Sequence, residues 1–401
     1  MRGWLEATML TWNQEYAKKE AFGDWMSKTA PIPAATSAEM PGVFAVCQQE
    51  AHKCTHEAVD ACVPIPRDPW QPAARKYLTG STKFRGFKHG LSESLNQIRL
   101  SIFTRQAVED GNISHSVDFQ VEMGTKRIGV GKGAIFGLVV APNLPRLLFI
   151  CAHVPVEGQS SAIKEYYAAG LKFAAEKAHK FPLSFFPDPP DRHKMVDAVI
   201  FGGDLNYRLD RMSSDGSPAD LRTSTLVKGI STLAGRRKLF ELDPTIRNFP
   251  IPDFHCGDES YVHLPTYKRA YKRVEDRAAC KSLQPQFMQP CEQDIASPEC
   301  MELRKRIQEC YFSKDGDATD EEEDATASVS KKQKAAKIGW LDRVCIKVFS
   351  KTTVHAYRER AYEEVDLSDH LPVRVGYQIS LEAFAGLKIR STSIIDISYY
   401  M

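Results

Sequence analysis

No run of about 18 or more apolar residues occurs in the 401-residue chain, so no membrane-spanning helix is expected. Charge of one sign is lacking as well. With 53 basic and 51 acidic residues the formal net charge is +2, so no global field draws the chain to nucleic acid or a membrane. Any basic site must be local. The opening segment, MRGWLEATMLTWNQ, has neither the apolar stretch nor the cleavage site of a secretory leader, and the closing SYYM has no cysteine for prenylation. Ten cysteines are present without a Cys-x-x-Cys pair. Their scatter suits a reducing compartment, with most of them packed as small apolar side chains, and a cytoplasmic location is expected. What remains is globular: 43% hydrophobic and 26% charged residues can bury a sizeable core.

Read in order, the chain is a series of apolar runs that end on polar residues. Met9–Asn13 reads as an early strand delivering Asn13 to its end, and Gly42–Glu50 as a second strand ending on Gln49 and Glu50. Ala51–Gly90 lacks periodicity and reads as a long surface loop leading into a helix. Gln97–Arg105 alternates like a half-buried strand. Val117–Met123 and Ala134–Val140 read as strands around the turn Gly129–Gly133, which carries Lys132. That turn is either a plain hairpin or a backbone nest facing phosphate; it lacks the P-loop spacing. Leu147–His153 is a buried strand ending on His153, and Ser160–Lys180 and Leu221–Leu242 read as helices, the latter with a solvated basic cluster at Arg236–Lys238.

From about Val274 to Lys337 the composition shifts, and residues 274–337 read as an insertion within a single catalytic domain spanning 1–401. Ser297 and Pro298 open a helix there with the apolar stripe Leu303, Ile307 and Tyr311, and an acidic run follows between Asp315 and Asp324. Cys280, Cys291, Cys300 and Cys310 are too widely spaced for a convincing zinc site. Order returns at Ile338–Phe349, and a turn with Asp369–His370 precedes a last strand from near Val373.

The stretch Ile200–Asp210 organises the rest. A buried apolar run ends at Gly202–Gly203, and Asp204, Asn206 and Arg208 follow at every second position. A carboxylate, an amide and a guanidinium suit a metal, a water and a phosphate. The alternative is a strand-to-loop turn whose Asp and Asn cap backbone groups. Together with Asn13, Glu50, His153 and Asp369–His370, the set meets the needs of a magnesium-dependent phosphoester hydrolase. One or two carboxylates suffice for Mg²⁺, and histidines backed by a carboxylate, such as Asp342 behind His370, stabilise transition-state charge.

These residues resemble the inositol polyphosphate 5-phosphatase family, within the larger group of abasic-site endonucleases, pancreatic-type deoxyribonucleases and neutral sphingomyelinases. The larger group shares Asn13, Gln49–Glu50, His153, Gly203–Asp204–x–Asn206 and Ser368–Asp369–His370. Asn206–Tyr207–Arg208, Pro265–Thr266–Tyr267–Lys268 and Trp340–Leu341–Asp342–Arg343 narrow it to the 5-phosphatases. The resemblance runs from about Met9 to Tyr377. It implies an α/β fold, a two-sheet β-sandwich flanked by helices and interrupted by a partly disordered insertion. It also implies Mg²⁺ held by Glu50 and Asn13, with Asp369 close by. Asp204 would serve the nucleophilic water, and Asn206, His153 and His370, the last with Asp342, would act on the scissile phosphate. Arg208, Tyr207, Tyr267, Lys268, Lys132 and Arg343 would form the substrate-binding set. The implied substrate is a phosphoinositide or a soluble inositol polyphosphate, with peripheral membrane contact and no nucleic acid. Departures from the family pattern fall at Glu15, Gly131, Phe201 and Leu341, and in the long gap from Lys268 to Asp342. Two readings stay open beside this one: another phosphodiesterase or nuclease of the larger group, and a silent phosphoinositide-binding adaptor.

Overall fold

The computed structural model describes residues 4–14, 41–51, 87–109, 112–115, 117–129, 131–142, 144–181, 195–210, 219–244, 249–256, 264–267, 280, 283, 291–292, 294–312, 338–349, 352–361 and 368–381. Strands β1 (Trp4–Asn13) and β2 (Gly42–Gln49) pair in parallel, so Asn13 lies opposite Gln49 and both strands end at the same edge. Gly42–Gln49 is buried at every position. β3 (Phe87–Leu95) and β4 (Ile98–Arg105) extend this sheet on one side, and β12 (Thr352–Ala361) and β13 (Val373–Leu381) on the other, in the order β12-β13-β1-β2-β4-β3. β5 (Ala107–Glu109) and β6 (Asn112–His115) form a separate hairpin.

The second sheet has the order β11-β10-β9-β8-β7 and is built from β7 (Gln120–Gly129), β8 (Lys132–Val140), β9 (Leu147–His153), β10 (Ala198–Asp204) and β11 (Asp342–Val348). β9 and β10 are apolar at nearly every position because both faces of the sheet are covered. On one face Phe149, Cys151 and Ile200 meet Met9, Ala45 and Ile102 of the first sheet. On the other, Leu148, Ile150 and Phe201 meet Ile163, Tyr166 and Phe173 of helix α1 (Gln159–Ala178). The α1 crossover makes β9 and β10 parallel and brings His153 and Asp204 to the same end, in direct register. The fold is therefore the two-sheet α/β sandwich expected, with helices outside.

Three further helices are α2 (Thr223–Ile230), α3 (Leu233–Phe240) and α4 (Pro298–Phe312). The expected single helix Leu221–Leu242 is split at Ser231–Thr232, where Thr232 turns extended and its Oγ1 caps the amide of Gly235 at 3.0 Å. Arg236 is not on a solvated face: it is 4% exposed and donates to the Ile230 carbonyl at 2.9 Å. α4 starts as expected, with Ser297 Oγ capping Cys300 and Pro298 in the first turn. Its stripe Leu303, Ile307 and Tyr311 joins the main core, and Tyr311 donates to the Pro265 carbonyl at 2.9 Å. The acidic run between Asp315 and Asp324 lies outside the described residues.

Three further expectations need correction. Phe87–Gly90 belongs to an edge strand rather than to a surface loop leading into a helix, and β4 is buried along most of its length because β2 and β3 flank it and Ile98, Leu100 and Ile102 pack on the second sheet. The cysteines are not free packed thiols. Cys47–Cys151, Cys256–Cys345, Cys280–Cys310 and Cys291–Cys300 form disulfides, and no described cysteine is free. Bridges of this number persist in oxidising compartments, so the cytoplasmic expectation loses the cysteine argument that supported it.

Candidate active site

The two sheets bring their polar strand ends together at one end of the sandwich. Asp204 closes β10 and is 2% exposed. Its Oδ2 accepts from Asn13 Nδ2 at 3.0 Å and lies 3.3 Å from His153 Nε2, while its Oδ1 accepts from the Asn206 amide at 2.9 Å. One oxygen of this Asp therefore caps a backbone amide, as the turn reading expects, and the other faces Asn13 and His153. The chain leaves the strand directly after Asp204, and Asn206 takes the left-handed conformation (φ 55°), with Nδ2 donating to the Val154 carbonyl at 2.7 Å. Gly203 (φ 143°) makes this close approach possible: a Cβ there would stand 1.8 Å from the Ala152 carbonyl oxygen.

Glu50, one residue past β2, is also left-handed (φ 49°). Two non-glycine residues in that conformation at one site are strain the surrounding packing must hold. Glu50 Oε1 lies 3.3 Å from Asn13 Nδ2 and 3.7 Å from His153 Nε2. Asn13 thus spans the carboxylates of Glu50 and Asp204, from opposite sheets. Lys132, at the start of β8, packs its Nζ against His153 Nε2. The Gly129–Gly133 segment is a hairpin turn, with Gly129 opposite Lys132, yet its lysine reaches the site.

On the other side, His370 Nδ1 lies 2.7 Å from Asp342 Oδ2, both buried. Asp342 opens β11 directly opposite Asp204. Its amide donates to Thr266 Oγ1, and Trp12 Nε1 donates to the His370 carbonyl. Ser368 Oγ receives the His370 amide at 3.1 Å and donates to the Asn13 carbonyl at 2.7 Å, locking this turn to β1. Ser368, Thr266 and Trp12 carry no role in the motifs; a hydroxyl or indole N–H one or two residues from a candidate site residue is the available signal. Asp369 Oδ1 is 3.8 Å from His370 Nε2. The Tyr267 ring stacks on His370 at 4.5 Å between centroids, and the Arg208 guanidinium sits 5.4 Å from the centre of the Tyr267 ring. Lys268 lies outside the described residues.

Two assigned substrate-binding residues are elsewhere. Arg343 alternates with Asp342 and so faces the opposite side of β11. It is 1% exposed, pairs with Asp243 at 2.8 Å and stacks on Phe240. Tyr207 is buried against the α1 face and its hydroxyl meets Ser160 at 3.1 Å. Both are structural by position.

Burial pushes Asp204 toward protonation, but the hydrogen bond from His153 and the positive charges of His370, His153 and Lys132 outweigh it and hold the carboxyl well below the usual range. Burial lowers Lys132, against the pull of Asp204 and Glu50. Burial also opposes charge on His370, yet the carboxylates of Asp342, Asp369 and Asp204 push it up to about 10. Burial, with the charge of Asp204, raises Asp342. The site therefore holds a firmly ionised carboxylate beside a histidine that keeps its proton at neutral pH.

The profile of Endonuclease/Exonuclease/phosphatase family 2 matches residues 10–288. The chain belongs to this family of hydrolytic enzymes. No curated protein sequence matches it. Among solved structures, it is similar to the inositol polyphosphate 5-phosphatase domain of SPsynaptojanin in complex with inositol (1,4)-bisphosphate and calcium ion. That likeness has 15% identity and a TM-score of 0.52, over 96% of this chain and 87% of that one. The nitrophorin of Cimex, as a ferrous NO complex, is similar at 14% identity and a TM-score of 0.52, over 95% of this chain and 100% of that one. At such identities the family member shares the fold alone with both. One fold thus carries an inositol phosphate in one protein and NO in another, and function must be argued from the site.

Proposed function

We propose that this hydrolase is a Mg²⁺-dependent phosphoric monoester hydrolase that removes the 5-phosphate of an inositol polyphosphate, free or as the head group of a phosphoinositide. The observation that carries this reading is the row His370, Tyr267, Arg208: a proton-bearing imidazole with an aromatic ring stacked on it and a guanidinium over that ring. The imidazole serves the reacting phosphate, and the guanidinium grips a second phosphate on the same ring. A simple phosphodiester offers nothing to that guanidinium.

The residues that would hold a magnesium ion are Glu50, Asn13 and Asp369, although no group of three His, Cys, Asp or Glu side chains among the described residues is gathered as a metal site. Glu50 is partly exposed, makes no ion pair with a lysine or arginine among the described residues, and stands beside the amide of Asn13. Glu50, Asn13 and Asp369 offer hard oxygen donors of the kind Mg²⁺ takes with water and phosphate. When bound there, the ion neutralises phosphate charge and fixes its orientation.

The chain's own groups do the rest. Asp204, ionised and held from both sides, orients the attacking water against phosphorus. The new bond to the water oxygen forms as the bond to the ring oxygen breaks, and one proton of the water ends on the departing ring oxygen, giving inorganic phosphate and a ring hydroxyl. His370, protonated and fixed by Asp342, donates to the phosphoryl oxygens as charge spreads over them, and Asn206 and Lys132 flank the same region.

The test is phosphate release, with and without Mg²⁺, from phosphatidylinositol 4,5-bisphosphate in vesicles and from its soluble head group. Mg²⁺-dependent release that spares the 4-phosphate supports the reading. Release from neither, by folded and metal-loaded protein, overturns it and moves the activity to another phosphoester or to a silent binding role. Faster turnover on vesicles would assign the protein a peripheral place at membranes.

A further inference from the structure

We propose that the Cys47–Cys151 bridge is a positioning element of the active site, so that the site is fully formed only in the oxidised chain. The inference rests on the proposed roles of Glu50 in holding Mg²⁺ and of His153 at the scissile phosphate. Cys47 lies three residues before Glu50 on β2, and Cys151 two residues before His153 on β9. The bridge therefore joins the two sheets directly beneath the two side chains that meet across them. Stacked sheets stand about 10 Å apart, but here the Cα atoms are 5.4 Å apart.

The sequence prepares this pinch with small residues. Next to Cys47 and Cys151 comes Gly202, where a Cβ would stand 2.8 Å from Met9 Sδ, whereas farther along the sandwich Ile102, Ile135 and Phe149 fill the gap. Convergence is what lets Glu50 Oε1 come within 3.7 Å of His153 Nε2. The bridge also anchors Gln49, whose Nε2 donates toward Cys47 Sγ at 2.8 Å and whose carbonyl accepts the Gln14 amide. Gln49 sits opposite Asn13 in the β1–β2 pairing and directly precedes Glu50, so the sulfurs hold the residue from which Glu50 leaves the strand. Reduction by a dithiol breaks the S–S bond and yields two thiols, while the dithiol becomes its own disulfide. Two thiols need more room than the bridge, and they push the sheets apart at this point.

The test compares two double variants of the full chain. Cys47→Ala/Cys151→Ala removes the bridge under the site; Cys256→Ala/Cys345→Ala removes a bridge on the α1 face of the second sheet. Hydrogen exchange and Mg²⁺ affinity are measured for each, with the melting temperature. The expected result is a lower melting temperature in both, but faster exchange at residues 49–51 and 153–154 only in the first. Its Mg²⁺ affinity should fall about tenfold, as when a group supporting a metal ligand is lost. Equal protection and affinity in the two variants would overturn the proposal and leave the bridge an ordinary staple. So would free thiols at Cys47 and Cys151 in the native protein. Exchange does not depend on the substrate: if it responds while no inositol phosphate is hydrolysed, the functional reading fails and this one stands.

Discussion

Asp342 and Asp204 face each other in register across β11 and β10, and each has its own histidine, His370 at 2.7 Å from Asp342 and His153 at 3.3 Å from Asp204. Two buried carboxylates at that spacing repel, and the two imidazoles make the arrangement tenable. Asp342 therefore acts through His370 by fixing its ring and its proton. Asp342→Asn should lower kcat by about tenfold to a hundredfold, the usual cost of losing a group that orients a functional histidine, with KM little changed. Steady-state kinetics on the bisphosphate substrate checks this. A change confined to KM would place Asp342 in substrate binding instead.

Asp204 has the more direct task. It touches Asn13, His153 and the Asn206 amide, so its loss removes the hub of the cluster. Asp204→Ala should cost on the order of a thousandfold or more in turnover, with circular dichroism unchanged. Near-normal turnover would sink the mechanism.

The site's strand ends were legible because strands buried on both faces read as unbroken apolar runs, and the first polar residue after each run marks the edge. His153 and Asp204 follow their runs in this way, whereas Gln48 and Gln49 stand between the second run and Glu50, and Thr11 interrupts the run before Asn13. β3 and β12 are not such runs, since FKHGLSESL and TTVHAYRERA carry the mixed polarity of outer strands. The bridges were illegible for another reason: Cys47 and Cys151 are 104 residues apart, and only the sandwich brings them together. Arg343 and Tyr207 stand apart from the His370–Tyr267–Arg208 row, and for Arg343 alternation anticipates this. Placing Asp342 in the site commits its neighbour Arg343 to the other face.

Arg343→Met strips Asp243 of this guanidinium in a fully buried setting, which should cost about 3 kcal/mol or more of stability. Tyr207→Phe loses one hydroxyl contact with Ser160, worth about 1 kcal/mol. Neither should raise KM for a bisphosphate substrate at temperatures where the variant is folded. Denaturant melts and kinetics together check this, and a rise in KM for either variant would return that residue to the substrate.

The His370 shift makes a statement about pH. Its folded value, about 10, lies above the ordinary histidine value near 6.5. The stability it contributes is thus fully present below about pH 6.5 and is lost as pH rises through about 10. The denaturation midpoint should fall across that window in the wild type and fall less in His370→Gln. Equal slopes would show that His370 is not held protonated by its carboxylate neighbours.

The bridges bear on where the protein works. All eight described cysteines are paired, and only Cys54 and Cys62 lie outside the described residues. Protein purified without reductant and unfolded in denaturant should therefore yield at most the thiols of those two on titration with a thiol reagent. Bridges closing long loops stabilise chiefly by restricting the unfolded chain, by about 2–4 kcal/mol each. Reduction should accordingly lower the melting temperature in steps as they open. Such a chain gains its stability where disulfides persist, and an oxidising compartment is the setting the four bridges favour. A full complement of thiols in freshly purified protein, with melting indifferent to reductant, would restore the reading of packed thiols and a cytoplasmic enzyme.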